Sequence, residues 1–229
     1  MPLKILGGGA AHALVELLTP AFTAATGLAV EGEYGAVGGM RARIVAGEAA
    51  DLAILSRTLI DGLVAQALAC DPVDVGVVET AVAFRAGDPA RSVADADALR
   101  AALFESDAVY LPDPAAATAG IHFAGVVERL GLTAALTARL RPHPNGASAM
   151  RALAASTDRR PIGCTQVTEI LAVPGVALAG PLPPGLDLAT TYTAAVLTTA
   201  RHPDAARDLA HRLAAAEGAD ARRRAGFTR

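Results

Sequence analysis

Short apolar segments recur along the chain, and each is followed by a glycine-rich or polar turn and then by a segment with helical spacing of its apolar positions. The segments that we interpret as strands of this kind lie at residues 3–6, 28–34, 52–55, 109–111 and 162–164. Alternation of strand and helix predicts an α/β fold with mostly parallel sheets. In such folds, ligands bind beyond the carboxyl ends of the strands.

Two segments interrupt this alternation. The apolar stretch at residues 80–85 is followed by Gly87-Asp88-Pro89 rather than by a helix, and the proline-rich stretch 181–185 precedes a long β segment at residues 192–197. We interpret both as crossings between two lobes. The predicted domains are residues 1–84 with 188–229 as lobe 1 and residues 85–187 as lobe 2.

Composition narrows the class of protein. The chain has 229 residues, of which 52% are hydrophobic and 3% aromatic, and its net charge is −3. The negative charge argues against a nucleic-acid partner. No apolar run reaches the roughly 18 residues that a membrane span needs, so the sequence predicts no span.

The position of the first strand bears on location. It begins almost at Met1, which leaves no room for a secretion signal in the chain as written. We therefore expect a cytoplasmic protein, or a periplasmic one if a leader was removed. The distinction matters because an importer component has to leave the cytoplasm.

Three consecutive glycines, Gly7 to Gly9, lie between the first predicted strand and a helix expected to open near Ala11. A junction of this kind exposes backbone N–H groups at the positive end of a helix dipole, which favours an anion. The glycines also fit two positions of a dinucleotide fingerprint, but His12 occupies the third, where a small residue is needed. The sequence lacks a phosphate-loop lysine, a serine-nucleophile motif and a metal-ligand cluster. We therefore expect anion binding without a cofactor or metal.

Six segments, taken in order, resemble the periplasmic molybdate-binding proteins of ABC importers. They are Gly35-Ala36-Val37-Gly38-Gly39, the GEAADL sequence at 47–52, Asp113-Pro114 with Ala119-Gly120, Ile162-Gly163 with Glu169-Ile170, Tyr192-Thr193-Ala194-Ala195-Val196 and Gly226-Phe227-Thr228. The resemblance covers nearly the whole chain. It implies the type II periplasmic-binding-protein fold, with two α/β lobes, mostly parallel sheets, two crossings and a ligand in the interlobe cleft. It also implies a small anionic ligand and, if the protein is exported, an ABC permease as partner.

In the family that the chain resembles, hydroxyls and backbone amides at helix starts hold the oxyanion. The ligand-binding residues that this implies here are Gly8, Gly9, Ala10, Ala36, Val37, Gly38, Ser56, Arg57, Gly120, Asn145, Gln166 and Tyr192. Gly9 and Val37 stand where the family has serines, so two side-chain donors are missing. Arg57 adds a guanidinium, which grips a carboxylate in a bidentate way. We therefore expect an organic carboxylate in preference to molybdate.

Aconitate isomerases are similar to the same family, and they supply the alternative hypothesis. Isomerisation of an unsaturated polycarboxylate requires cations that hold the carboxylates and a base that removes a neighbouring proton, so that the double bond shifts. Arg57 and Arg85 are candidate cations, and His122 is the candidate catalytic base, since a helix N-terminus keeps a histidine neutral. Arg57 is also compatible with a solvated helix start, and His122 with a polar surface position. A binding protein and a cytoplasmic isomerase are both open hypotheses at this point.

Overall fold

A computed structural model describes residues 1–228 of the chain. It divides into two compact units: unit 1 contains Met1–Val78 and the chain from Thr190 onward, and unit 2 is Glu79–Ala189. In each unit, helices pack on a β-sheet. The α/β class predicted from the alternation of strands and helices is confirmed.

Three stretches of chain contain the helices and strands. The first contains β1 (Leu3–Gly8), a 3-10 turn (Gly9–Ala11), α1 (His12–Thr26), β2 (Val30–Gly35), α2 (Val37–Val45), β3 (Leu52–Ser56), α3 (Arg57–Ala65) and the long β4 (Ala69–Arg85), which continues into unit 2. The second contains α4 (Ala96–Phe104), β5 (Ala108–Pro112), α5 (Thr118–Arg129), α6 (Thr133–Leu136), β6 (Leu140–His143), α7 (Gly146–Ala154), β7 (Pro161–Gln166), α8 (Val167–Leu171) and β8 (Val176–Pro181). The third contains β9 (Ala189–Leu197), α9 (Pro203–Ala214), a second 3-10 turn (Ala216–Gly218) and α10 (Ala219–Ala225).

The sheet of unit 1 aligns the ends of three parallel strands. The strand order is β2-β1-β3-β9, with β2, β1 and β3 parallel and β9 antiparallel. Gly8 lies opposite Gly35, and Ser56 lies opposite Tyr192. The three parallel strands therefore end along one edge of the sheet, and each passes directly, or after one residue, into a helical turn.

A buried aliphatic core joins this sheet to its helices. Side chains of the strands, such as Ile5 and Leu55, and of the helices, such as Leu14 and Leu209, have no exposed surface and belong to one cluster. Burying side chains of this size contributes about 1.5–3 kcal/mol each. The ends of the strands are therefore held in place by a well-packed core.

Helices cover both faces of the sheet in unit 2. The strand order is β8-β4-β7-β5-β6, where β4 is antiparallel to both neighbours, and β7, β5 and β6 are parallel. Alternate residues of a strand face opposite sides of its sheet. Val82 and Phe84 accordingly pack in a cluster with α4 and α5, whereas Ala81 and Ala83 pack in a cluster with α7 and α8.

The prediction that Gly7 and Gly8 lie between the first strand and the following helix is wrong. Both residues belong to β1, and only Gly9 opens the following turn. A Cβ atom at Gly7 would lie 2.8 Å from Cδ1 of Tyr34, and one at Gly8 would lie 2.6 Å from Cγ1 of Val37. The two glycines therefore serve close packing, since any larger residue would displace these side chains.

The helices of the described residues are short or polar. None of the helices formed by residues 1–228 combines the length and the apolar composition that a membrane span requires. Within the same part of the chain, no group of three or more histidine, cysteine or acidic side chains is arranged to hold a metal ion.

Candidate functional site

Three helix starts lie side by side where β2, β1 and β3 end. The residues before the helical turns, Gly8, Ala36 and Ser56, all have extended backbones. Within residues 1–228, none of the three caps its helix with a side-chain hydrogen bond. The first N–H groups of a helix have no acceptor inside the helix and form its positive end. We refer to these three residues and the turns that follow them as the open helix starts.

Most of the predicted ligand residues of unit 1 belong to the open helix starts. Tyr192 lies beside them, because its Cε1 is 2.9 Å from the place that a Cβ of Gly8 would take. The Tyr192 ring is buried and packs edge-on against Phe227, with 6.2 Å between the ring centroids. The predicted residues brought together in this way are Gly8, Gly9, Ala10, Ala36, Val37, Gly38, Ser56, Arg57 and Tyr192.

A buried carboxylate holds the two residues that precede α9, also in unit 1. Oδ1 of the buried Asp51 accepts hydrogen bonds from the backbone N–H groups of Arg201 and His202, at 2.7 and 2.8 Å, directly before the helix. Its Oδ2 accepts another from the backbone N–H of Lys4 at 2.8 Å. Among the described residues, no acid serves the open helix starts in this way. The first N–H groups of the open helix starts are therefore candidate donors for an external anion.

Arg57, the first residue of α3, is held by two carboxylates. Its Nη1 donates to both oxygens of Asp74, at 2.8 and 2.7 Å, and its Nε donates to Asp61 at 3.0 Å. These hydrogen bonds, those with Asp74 above all, raise the pKa of Arg57. Asp74 in turn accepts from Oγ1 of Thr193 at 2.7 Å. The guanidinium is half-exposed and lies at an open helix start, with its charge balanced inside unit 1.

Gly120 is required for the packing of α5. A Cβ atom at this position would lie 2.4 and 2.3 Å from the backbone carbonyl oxygens of Pro112 and Asp113. Backbone atoms cannot move aside as a flexible side chain can, so α5 can lie this close to the end of β5 only with glycine here. Packing therefore explains why glycine stands at this position, which the resemblance implies to be ligand-binding.

His122 connects α5 to the segment between β8 and β9. Its Nε2 lies 2.7 Å from the carbonyl oxygen of Leu186. A carbonyl only accepts hydrogen bonds, so Nε2 must carry the proton, and the neutral ring can accept a proton only at Nδ1. A catalytic role would therefore use Nδ1.

Arg85 forms hydrogen bonds with other residues of unit 2. Its Nε and Nη2 donate to Oδ1 of Asp88, at 3.1 and 2.8 Å. Its Nη1 donates to the backbone carbonyls of Ser156 and Asp158. Through these contacts, Arg85 stabilises the segment that precedes β7.

The start of α7 carries its own cap. Oδ1 of Asn145 accepts from the backbone N–H of Ser148 at 2.9 Å, and Oγ of Ser148 accepts from the backbone N–H of Asn145 at 3.2 Å. This reciprocal pair is a capping box. The carboxamide oxygen of Asn145, a predicted ligand residue, is therefore used in stabilising its own helix.

Glu169 is a buried acid that the predicted site residues did not include. It lies on α8, three residues after the buried Gln166, which is the N-cap of that helix. Burial raises the pKa of Glu169, and the hydrogen bonds that its carboxylate accepts oppose that shift. The spacing of Gln166 and Glu169 is that of the second half of a capping box, in which the acid accepts from the N-cap N–H. That spacing is the signal by which the sequence could have revealed it.

Comparison with protein families gives a match over nearly the whole chain. A family model described as bacterial extracellular solute-binding protein matches residues 3–228. An aconitate isomerase from a Pseudomonas species is 28% identical over 227 residues, which cover 96% of this chain and 84% of that protein.

Two solved structures of similar fold extend this result. The periplasmic molybdate-binding protein of Azotobacter vinelandii has a TM-score of 0.82 and 19% identity, covering 99% of both chains. A sulfate-binding protein of Mycobacterium tuberculosis has a TM-score of 0.76 and 19% identity, covering 99% of this chain and 86% of that one. At these identities the likeness shows a shared fold. The periplasmic-binding-protein fold implied by the six segments is confirmed.

Proposed function

Because the chain belongs to the family of bacterial extracellular solute-binding proteins, we propose that it binds a small anion through the backbone N–H groups of the open helix starts. The observation that carries this proposal is the alignment of three such starts at one edge of unit 1. Each helix N-terminus carries about half a positive charge. Its N–H groups are ready-made donors for an anion. The structural relatives named for molybdate and sulfate support this class of ligand. If the protein is exported, the partner that we propose is an ABC permease.

We further propose an organic carboxylate as the preferred ligand. Arg57 brings a guanidinium to the start of α3, where Asp74 now occupies its Nη1. A ligand carboxylate would take the place of Asp74 and form a charge-assisted hydrogen bond of the same kind. The relative named aconitate isomerase supports this class, because aconitate is a tricarboxylate.

A thermal-shift panel is expected to identify the ligand class. The protein is mixed separately with molybdate, sulfate, citrate, cis-aconitate and trans-aconitate, and its melting temperature is measured. A ligand that binds only the folded state stabilises it, by about 2.7 kcal/mol when present at about 100 times its dissociation constant. We expect the tricarboxylates to raise the melting temperature most. A rise with molybdate or sulfate alone would overturn the carboxylate preference, and no rise with any anion would overturn anion binding.

The variant Arg57→Ala tests the preference for carboxylates separately from anion binding by the backbone N–H groups. Loss of a hydrogen bond to a charged group weakens binding by about tenfold or more, so the affinity for tricarboxylates should fall while that for inorganic oxyanions stays. Arg212→Ala is the matched control, because Arg212 forms a comparable ion pair with Asp208 on α9. Equal affinity of Arg57→Ala and the wild-type protein for every tricarboxylate would show that Arg57 does not contact the ligand.

Isomerisation of aconitate is the second candidate function, and the 28% identical relative favours it. The reaction would begin when a base removes a proton from the methylene carbon beside a carboxylate. The double bond then shifts, and the proton returns to the other end of the allylic system. We propose Nδ1 of His122 as this base, because Nε2 is engaged with Leu186.

Proton NMR in D2O tests this candidate directly. Incubation with trans-aconitate is expected to produce cis-aconitate and to exchange the methylene protons for deuterium. His122→Gln keeps an N–H donor for the Leu186 carbonyl but has no base, so its rate should fall by about 100-fold or more. Absence of turnover in the wild-type protein would reject the isomerase, and an unchanged rate in His122→Gln would reject His122 as the base.

A further inference from the structure

Both edges of the Arg57 guanidinium that could grip a carboxylate are already in use. A guanidinium holds a carboxylate with two N–H groups on one edge, either Nε with Nη2 or Nη1 with Nη2. In this structure, Nε donates to Asp61 at 3.0 Å, and Nη1 donates to both oxygens of Asp74 at 2.8 and 2.7 Å. A ligand that binds Arg57 through two hydrogen bonds must therefore displace one of these two acids.

Asp74 is held in place by a buried hydroxyl as well as by Arg57. Its Oδ1 accepts a hydrogen bond from Oγ1 of Thr193 at 2.7 Å. Thr193 has no exposed surface, and it lies on β9 opposite Leu55 of β3. Asp74 itself comes from β4, so residues of two strands fix this carboxylate at the guanidinium. The carboxylate is therefore preorganised as an acceptor for Arg57.

The same ion pair is exposed enough to open. The side chains of Arg57 and Asp74 are both 48% exposed. Water can solvate both charges when they separate, so an ion pair of this kind contributes little to stability. Opening a buried pair would instead leave an uncompensated charge inside the protein. Asp74 can therefore leave Arg57 at a small cost when another carboxylate replaces it.

We propose that Asp74 is an internal competitor that lowers the affinity of every ligand that depends on Arg57. Because Asp74 belongs to the same chain, it competes at an effective concentration on the order of millimolar. A monocarboxylate forms only the bonds that Asp74 already forms, and it also loses its freedom of motion on binding. A polycarboxylate has further carboxylates for the open helix starts, so it binds in spite of the competitor. This inference rests on the proposed function, since it takes Arg57 as a ligand residue.

Replacing Asp74 by Asn is expected to increase the affinity for citrate by about threefold or more. The variant Asp74→Asn keeps the size of the side chain and removes the charge that competes for Arg57. The affinity for sulfate should stay the same, because the backbone N–H groups proposed to hold inorganic oxyanions do not depend on Arg57. Titration calorimetry of the wild-type protein and the variant with both anions measures these effects. An equal increase for sulfate would show a general effect of charge, which contradicts the proposal.

A double-mutant cycle tests whether Asp74 acts through Arg57. In the Arg57→Ala protein, the further change Asp74→Asn should leave the affinity for citrate unchanged, since no guanidinium remains to compete for. A gain of the same size with and without Arg57 would overturn the proposal. Asp208→Asn is the matched control, because Asp208 accepts from Nε of Arg212 at 2.9 Å in a similarly exposed pair. We expect this control to bind citrate as the wild-type protein does.

The outcomes separate this inference from the function on which it rests. If the wild-type protein binds citrate and Asp74→Asn binds it no more tightly, Asp74 does not compete, and the inference alone is wrong. If neither protein binds citrate but both bind sulfate, the carboxylate preference fails together with the inference, while anion binding stands. If neither binds either anion, the proposed function and the inference are both overturned. Citrate binding by Asp74→Asn alone would support the inference, since it would show a competitor that citrate cannot displace.

Discussion

Replacing Ala36 by Asp is expected to stabilise the protein and to weaken anion binding about tenfold or more. Ala36 is the N-cap of α2, and its extended backbone (φ −60°, ψ 130°) is the conformation in which Asp caps helices. The new carboxylate would accept from the first-turn N–H groups and raise the free energy of unfolding by about 1 kcal/mol. Because those groups are the proposed ligand donors, and because two anions at one helix start repel each other, the solute loses affinity. Chemical denaturation and titration calorimetry measure the two effects.

The control for Ala36→Asp removes a cap from a helix that the proposal does not use. Asp95 caps α4 by accepting from the backbone N–H of Ala98 at 2.8 Å. Asp95→Ala should lower the free energy of unfolding by about 1 kcal/mol and leave the affinity for the anion unchanged. If Ala36→Asp gains stability and still binds as tightly as the wild-type protein, the anion is not held at α2.

Replacing Gly120 by Ala is expected to lower the free energy of unfolding by about 3 kcal/mol. The added Cβ would lie 2.3 Å from the carbonyl oxygen of Asp113 and 2.4 Å from that of Pro112. Neither backbone atom can rotate away, so α5 has to move off the end of β5 and disturb the buried Phe123 on the same helix. Urea denaturation of the wild-type protein and the variant measures the change.

Gly125 on the same helix provides a matched control. Among the described atoms, none lies within 4 Å of the place that its Cβ would take. Gly125→Ala should therefore raise the free energy of unfolding by about 0.5–1 kcal/mol, since alanine loses less conformational entropy in a helix than glycine. A destabilisation in Gly125→Ala as large as that in Gly120→Ala would mean that position 120 has no special packing role.

The strands of the parallel sheets could be predicted because their signal is local. The runs at residues 52–55 and 109–111 correspond to β3 (Leu52–Ser56) and β5 (Ala108–Pro112), whose core residues are buried. A parallel strand covered on both faces is apolar throughout, so a short run of this kind bounded by turn residues is enough to identify it. The alternation of such runs with helical segments then determines the fold class.

The glycine run could not be assigned in the same way. Whether Gly7 and Gly8 form a loop or continue a strand depends on Tyr34 and Val37, which pack against them from later in the chain. Glycine by itself is compatible with both conformations. The nearby sequence therefore left the choice open, and the tertiary packing decided it.

The candidate site shows the same division at the level of side chains. Arg57 can be selected by residue type and position, but the partner that balances it, Asp74, comes from β4. His122 can be selected as a histidine near a helix start, but the carbonyl that determines its tautomer belongs to Leu186. Only the fold brings such partners, distant in sequence, close to these residues. The tertiary structure therefore determines which atoms of Arg57 and His122 are available to a ligand.

The sequence by itself determined the α/β class and the absence of a capping side chain at positions such as Ala36, since alanine has no side-chain oxygen to offer. The tertiary structure decided which backbone N–H groups near helix starts find an acceptor elsewhere in the chain, as those of Arg201 and His202 before α9 do at Asp51. The physical reason is that the need for an acceptor at a helix N-terminus is local, whereas the acceptor can come from any part of the chain. Only the folded chain therefore shows at which helix starts the acceptor can be an external anion.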